Sequence, residues 1–245
     1  MSSQSEAAAE VARRVEAYRG VSADIASLAA RDIEVFVGTL DLTDVEKARE
    51  ALIVFADSLV QTYGRAEAMT AAKFYDDVRA LSGSATGRFR ATMADGATRD
   101  QIVGSVRWAV GQDNPGMALS GSVQRLLAQT GRDTIDGNTR RDPSRATWAR
   151  VPSGFHVCGF CKSLASRGAA YGSKESAGGD GNKYHDNCHC VPTPMWRGDP
   201  YPKGYDPNTY LRDYDKAADA LGSKGNLDNI ARELDQDRPR VDMTR

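Results

Sequence analysis

The chain has 245 residues, 27% of them charged and 40% hydrophobic, with a formal net charge of −1. That composition fits a folded chain with room for one large core or two modest ones, and excludes wholesale disorder. The balanced charge excludes a polyanion binder acting through its whole surface, so any nucleic-acid contact has to be local.

The N-terminal region reads as helix over 5–36, with Val11, Val15, Tyr18, Val21, Ile25, Leu28 and Ala29 at spacings of three and four on one face, and with Gly20 as a candidate kink or break. Its start has neither the basic flank nor the apolar run of a signal peptide, so export by that route is not expected. No apolar run reaches the ~20 residues that span a bilayer, and no membrane partner is expected. Thr43 and Glu46 fit a capping box for a second helix that carries Ala51, Leu52, Phe55, Leu59 and Tyr63 and can continue past Gly64 through Phe74 and Val78 to Leu81. A Gly/Ser breaker follows at 82–87. Thr98 and Gln101 form a second capping box, for a helix with Ile102, Val106, Trp108 and Val110 that ends at Asn114-Pro115-Gly116. A further helix is expected over 117–136 with Leu119, Val123, Leu126, Leu127 and Ile135 inward, and Met69, Met93 and Met117 are assigned to the core.

After Gly137 helical periodicity fades. Residues 146–151 alternate as a short strand, 173–183 read as a loop, and Pro192, Pro194, Pro200, Pro202 and Pro207 mark an extended irregular run. Helices return over 207–221, with Leu211, Tyr214 and Ala218 inward, and over 227–234. The expected fold is therefore mainly α. A helical, partner-docking region 1–137 leads into a small irregular α+β module 138–205, and a short helical tail 206–245 follows.

All four cysteines and all three histidines fall inside that module or at its edge. Cys158-Gly159-Phe160-Cys161 precedes His185-Asp186-Asn187-Cys188-His189-Cys190 by about two dozen residues, a spacing that suits one tetrahedral zinc ion. Gly159 is expected to free the backbone for the tight Cys-x-x-Cys turn. In an extended segment residues 188 and 190 share a face and 189 points away, which demotes His189. The pool is then Cys158, Cys161, His185, Cys188 and Cys190. It holds either three cysteines with His185, or four cysteines with His185 behind them. A closed set of this kind is structural and leaves no place for a reacting water. Two disulfides, a redox-active Cys158/Cys161 pair and buried thiols are the competing readings of the same residues.

Arg140, Arg141, Arg145 and Arg150, with Arg132 before them, form a basic stretch that could touch a phosphate backbone. Asp133, Asp136 and Asp142 interleave with it, and a solvated, salt-bridged surface is the reading preferred. Trp148, Phe155, Phe160, Tyr171, Tyr184 and Trp196 are expected to pack around the metal. No G-x-x-x-x-G-K-S/T, G-x-S-x-G or H-E-x-x-H motif occurs, and no enzymatic activity is expected.

The string Arg150-Val151-Pro152-Ser153-Gly154, Cys158-Gly159-Phe160-Cys161, Leu164 to Gly168 and Tyr184 to Cys190, followed by Pro192, resembles the phage Mu F-like minor head proteins, in the form carried by actinobacterial tailed phages. The resemblance covers residues 140–197, with His189 where many relatives have a basic residue. It implies a few-copy, non-enzymatic protein of the capsid interior, assembled in the host cytoplasm. It also implies association with the portal protein and a part in head morphogenesis and in DNA packaging or ejection. The major capsid protein and packaged DNA are further partners that it suggests. Some relatives add a C-terminal enzymatic or toxin domain; about 50 residues follow Trp196, too few for one. The rival function is a zinc-dependent nucleic-acid-binding protein, or a hydrolase or nuclease.

Overall fold

The computed structural model describes residues 3–153, 157–172, 190–222 and 226–236. The chain is mainly helical. Helices α1 (Ser3–Val37), α2 (Val45–Leu81) and α4 (Pro115–Arg141) pack on one another along their lengths, and α3 (Arg99–Val110) fills the side between α2 and α4. Strands β1 (Thr147–Val151) and β2 (Val191–Met195) form an antiparallel pair laid against the bundle. The short α5 (Gly159–Ala165) is held by α6 (Pro207–Ala220) and α7 (Leu227–Gln236).

Helix α1 runs unbroken through Gly20, where an added Cβ would meet open space. Its buried stripe is Val15, Tyr18, Ile25, Ala29 and Ile33, and Val21 and Leu28 are exposed rather than inward. The stripe passes through polar Ser22, whose hydroxyl donates to buried Glu67; Val21 lies about 100° round the helix from it. Apolar spacing alone therefore pointed one residue off. Helix α2 is continuous past Gly64, as expected, but its N-cap is Asp44, which accepts from the Lys47 amide at 3.2 Å. Thr43 is spent one step earlier, donating from its amide and hydroxyl to Asp41. At α3 the Thr98–Gln101 capping box is present in both directions. Asn114 does not end α3; it caps α4, with Pro115 at the first helical position, where its missing N–H costs nothing.

Helix α4 extends past residue 136 to Arg141. Apart from Ile135, its last turns bury Thr130, Thr134, Asn138 and Thr139 in place of apolar residues, so the hydrophobic period fades before the helix ends. The threonine hydroxyls return to carbonyls one turn back. Asn138 and Thr134 grip the irregular strap 82–98 that crosses between α2 and α4. Asn138 exchanges two hydrogen bonds with the Thr92 backbone (2.9 and 2.8 Å), Thr134 accepts from the Ala94 amide, and Asp76 accepts from that of Ala91. Side chains thus satisfy backbone groups that have no strand or helix partner.

Residues 192–194 are strand, not irregular. Pro192 and Pro194 sit opposite Arg150 and Trp148, alternating with Val191, Thr193 and Met195, which stand opposite Val151, Ala149 and Thr147. Trp148 turns its own N–H and C=O to Tyr171 on the far side of β1. The prolines therefore occupy the positions where β2 needs no donor towards β1. One apolar cluster joins Val15, Tyr18, Phe74, Tyr75 and Ile135 of the bundle to Ala149, Val151, Ala165, Val191, Trp196 and Tyr205. A second, with Ile33, Leu52, Ile102, Leu119 and Leu127, fills the other end of the bundle. Met69, Met93, Met117 and Trp108 are exposed, against the expectation of core for the methionines, and Leu211 is exposed on α6 while Ala218 and half-buried Tyr214 face α7. No helix among the described residues is long and apolar enough to cross a membrane.

Candidate metal centre and the cleft beside it

Cys158 is the N-cap of α5, in extended backbone, and its Sγ accepts from the Cys161 amide at 3.4 Å. A sulfur here receives the same bond that a serine or aspartate cap receives, and both thiols stand at one helix start. Cys161 is buried and Cys158 half-buried. Gly159 does not supply turn freedom, since its φ is not in the left-handed region. A Cβ there would overlap the Ala231 carbonyl oxygen of α7. The glycine is required by the approach of α7, and Asp235 of α7 accepts from the Gly159 amide at 2.8 Å. No local pattern marks an aspartate 76 residues away as a partner of the Cys-x-x-Cys turn.

Cys190 is buried immediately before β2. It lies on the side of Tyr205 and Tyr210, both of whose hydroxyls are held above the ordinary phenol range, first by burial and also by Cys190 nearby. Tyr205 donates to the Ala165 carbonyl at the other end of α5. His185, Cys188 and His189 lie outside the described residues, as do Phe155 and Tyr184 and the loop expected over 173–183. Among the described residues no group of three His, Cys, Asp or Glu side chains comes together as a metal set.

Of the expected aromatic shell, Trp148 stacks on Tyr171 (4.5 Å between centroids) and donates to Asp136, while Trp196 packs edge-on against Tyr75 of α2. Phe160 lies under the Arg150 guanidinium, 5.9 Å from the ring centre. Arg150 is wholly buried and Arg132 nearly so, which corrects the picture of one solvated basic face. Arg140, Arg141 and Arg145 are exposed; Arg140 pairs with Asp136 and Arg141 donates to Asn138.

A cleft of about 390 Å³ opens between α1 and α4, lined by Tyr18, Ser22, Glu67, Arg125, Arg132 and Cys190 among others. Its floor is Glu67, 1% exposed, which accepts from Tyr18 (2.8 Å) and Ser22 (2.5 Å). Burial raises the Glu67 carboxyl above its usual range, against the pull of those two hydroxyls and Arg132. A Cβ at Gly131 would overlap both the Glu67 carboxylate and the Tyr18 hydroxyl, so the glycine makes room for the cluster. Nothing in the local sequence marked Glu67, since its partners come from α1 and α4.

The curated proteins and the solved structures give no match. A family model described as VG15 protein matches residues 10–217, which takes in the bundle, the sheet, α5 and most of α6. With most of its length inside that match, the chain belongs to the VG15 protein family, a phage-associated family.

Proposed function

We propose that this protein is a structural minor capsid protein of a tailed phage, placed in the head interior at the portal. There it aids head morphogenesis and DNA packaging or ejection. The observation that carries this reading is the family match over 10–217, which treats bundle and cysteine module as one unit. The Mu F-like string from Arg150 to Pro192 adds the finer assignment. Cys158 and Cys161, with His185 and one of Cys188 and Cys190, or else all four cysteines with His185 behind them, hold one structural zinc ion. Sulfur-rich donors suit zinc, and the bond from the Cys161 amide to Cys158 Sγ favours the thiolate form that zinc requires. When bound, the ion cross-links the chain and supplies no reaction chemistry.

The test is quantitative mass spectrometry of purified particles, counting this chain against portal and major capsid proteins. A few to about a dozen copies per particle, constant relative to the portal, is the expected result for a few-copy component on a symmetric ring. Absence from particles would overturn the virion assignment.

A further inference from the structure

The aspartates that interleave with the late arginines of α4 are turned inward, and the arginines are not. Asp142 is wholly buried and bound to Arg79 and Tyr75. Asp136, 4% exposed, accepts from Trp148 and pairs with Arg140. Asp133 is half-buried and accepts from Gln129. Arg141 and Arg145 stand exposed beside them and make no ion pair among the described residues. Arg145 takes left-handed backbone, φ 55°, where glycine or asparagine sits at least cost, so nothing in the turn itself calls for an arginine.

The strap 82–98 brings two more arginines to the same place. The Thr86 amide donates to Ser144 Oγ, and the Thr86 carbonyl accepts from Ser144 and Arg79. Further on, Asn138 holds the Thr92 backbone. The stretch between is thereby pinned along the end of α4. Phe89, at its middle, has the Arg79 and Arg141 guanidinium groups 5.3 and 5.4 Å from its ring centre. Arg88 and Arg90 flank Phe89, both exposed and neither in an ion pair among the described residues. The strap's only carboxylate, Asp95, follows Ala94, which is bound to Thr134 a turn further down α4.

Four guanidinium groups without a carboxylate thus stand together on a chain whose net charge is −1. Elsewhere Arg13, Arg19 and Arg49 each pair with a glutamate three residues before. Like charges held together repel, and an anion offsets that repulsion. Guanidinium forks match phosphate oxygens, and a pinned strap has little freedom left to lose on binding. One small anion meets one or two of these groups, whereas a row of phosphates meets all four. We propose that Arg88, Arg90, Arg141 and Arg145 grip the phosphate backbone of duplex DNA without reading its sequence. Arg150, being wholly buried, takes no part. The surface needs neither the portal nor the zinc assignment, so absence from particles would leave it standing.

The test is fluorescence anisotropy of a labelled duplex of about 24 base pairs, titrated with the full chain between about 25 and 200 mM salt. The expected Kd is on the order of 10 μM at about 50 mM salt, with a log–log salt slope of about −3 to −4 for four phosphate contacts. Arg88→Gln with Arg90→Gln should weaken binding about 100-fold, reduce the slope by about 2 and leave the melt unchanged. Arg65→Gln with Arg107→Gln removes the same charge from exposed positions elsewhere and should change neither affinity nor slope. No binding at about 100 μM protein in low salt, or an equal loss in the two double variants, would overturn the proposal. So would poly-glutamate displacing the label at lower charge concentration than unlabelled duplex, which would assign the surface to an acidic protein.

Discussion

Two buried carboxylates respond to pH in opposite directions. Asp142, wholly buried, accepts from Arg79 Nε at 2.8 Å, from Tyr75 and from the Ser144 amide. Burial pushes its carboxyl up, but the Arg79 bond, the Ser144 amide and the Arg79 charge outweigh it, and the net shift is down. A group lowered on folding stabilises above its unfolded value and loses that stability as pH falls through the folded one. Glu67 is raised on folding, so the native state holds its proton more tightly. Its contribution is fully present below the ordinary glutamate value and is lost as pH rises through the raised one. Urea unfolding between pH 3 and 8 distinguishes them. Glu67→Gln should keep the Tyr18 and Ser22 bonds and gain stability relative to wild type above the carboxylate range. Asp142→Asn should lose about 3 kcal/mol at neutral pH, with the loss shrinking in acid. Equal pH profiles for the two variants would contradict both assignments. Neither residue was legible in the sequence, because their partners stand 49 and 67 positions away. Arg150 was misplaced for a related reason, since nothing in its neighbours reveals that β1 is covered on both faces.

At the scale of elements, local chemistry was readable wherever the signal was local. The Thr98 box, the strand at 147–151 and the helices after Pro207 and Leu227 stand where spacing put them. The helix start at Asp44 moved by one residue because Asp41 competes for Thr43, and α4 ran on because hydroxyls and an amide replace its apolar stripe. The role of Gly159 was invisible for want of α7. Gly159→Ala should cost about 1–3 kcal/mol by overpacking against the Ala231 carbonyl. Hydrogen exchange should show α7 amides losing protection while those of α3 keep theirs. Unchanged protection in α7 would mean that the helix does not press on the cysteine turn.

Across the whole molecule, the mainly helical character and the clustering of cysteines in one region were legible from the sequence. The sharing of one core between bundle and sheet was not, because it depends on where β2 docks. If the proposed zinc ion is bound, its removal should be felt in parts. Chelation, or Cys161→Ser, should lower the melting temperature and perturb the near-ultraviolet signal of stacked Trp148 and Tyr171, since binding free energy of the metal is folding free energy for what it ties. The cluster of Ile33, Leu52, Ile102 and Leu127, with no residue from the module, should keep its helicity. A chelated protein that melts like the untreated one would remove the structural ion from the account.

The amide of Lys203 donates to the carbonyl of Ala8 at 2.9 Å, and Val11, Val15 and Tyr18 rest on the cluster that holds Val191, Trp196 and Tyr205. The chain leaves the ribosome N-terminus first. Helix α2 can cover Tyr18 early, through Phe74, but the first turns of α1 gain their backbone tie and their contacts with β2 only when residues 191–205 have been made, so the start of the chain is the last part of the bundle to be fixed.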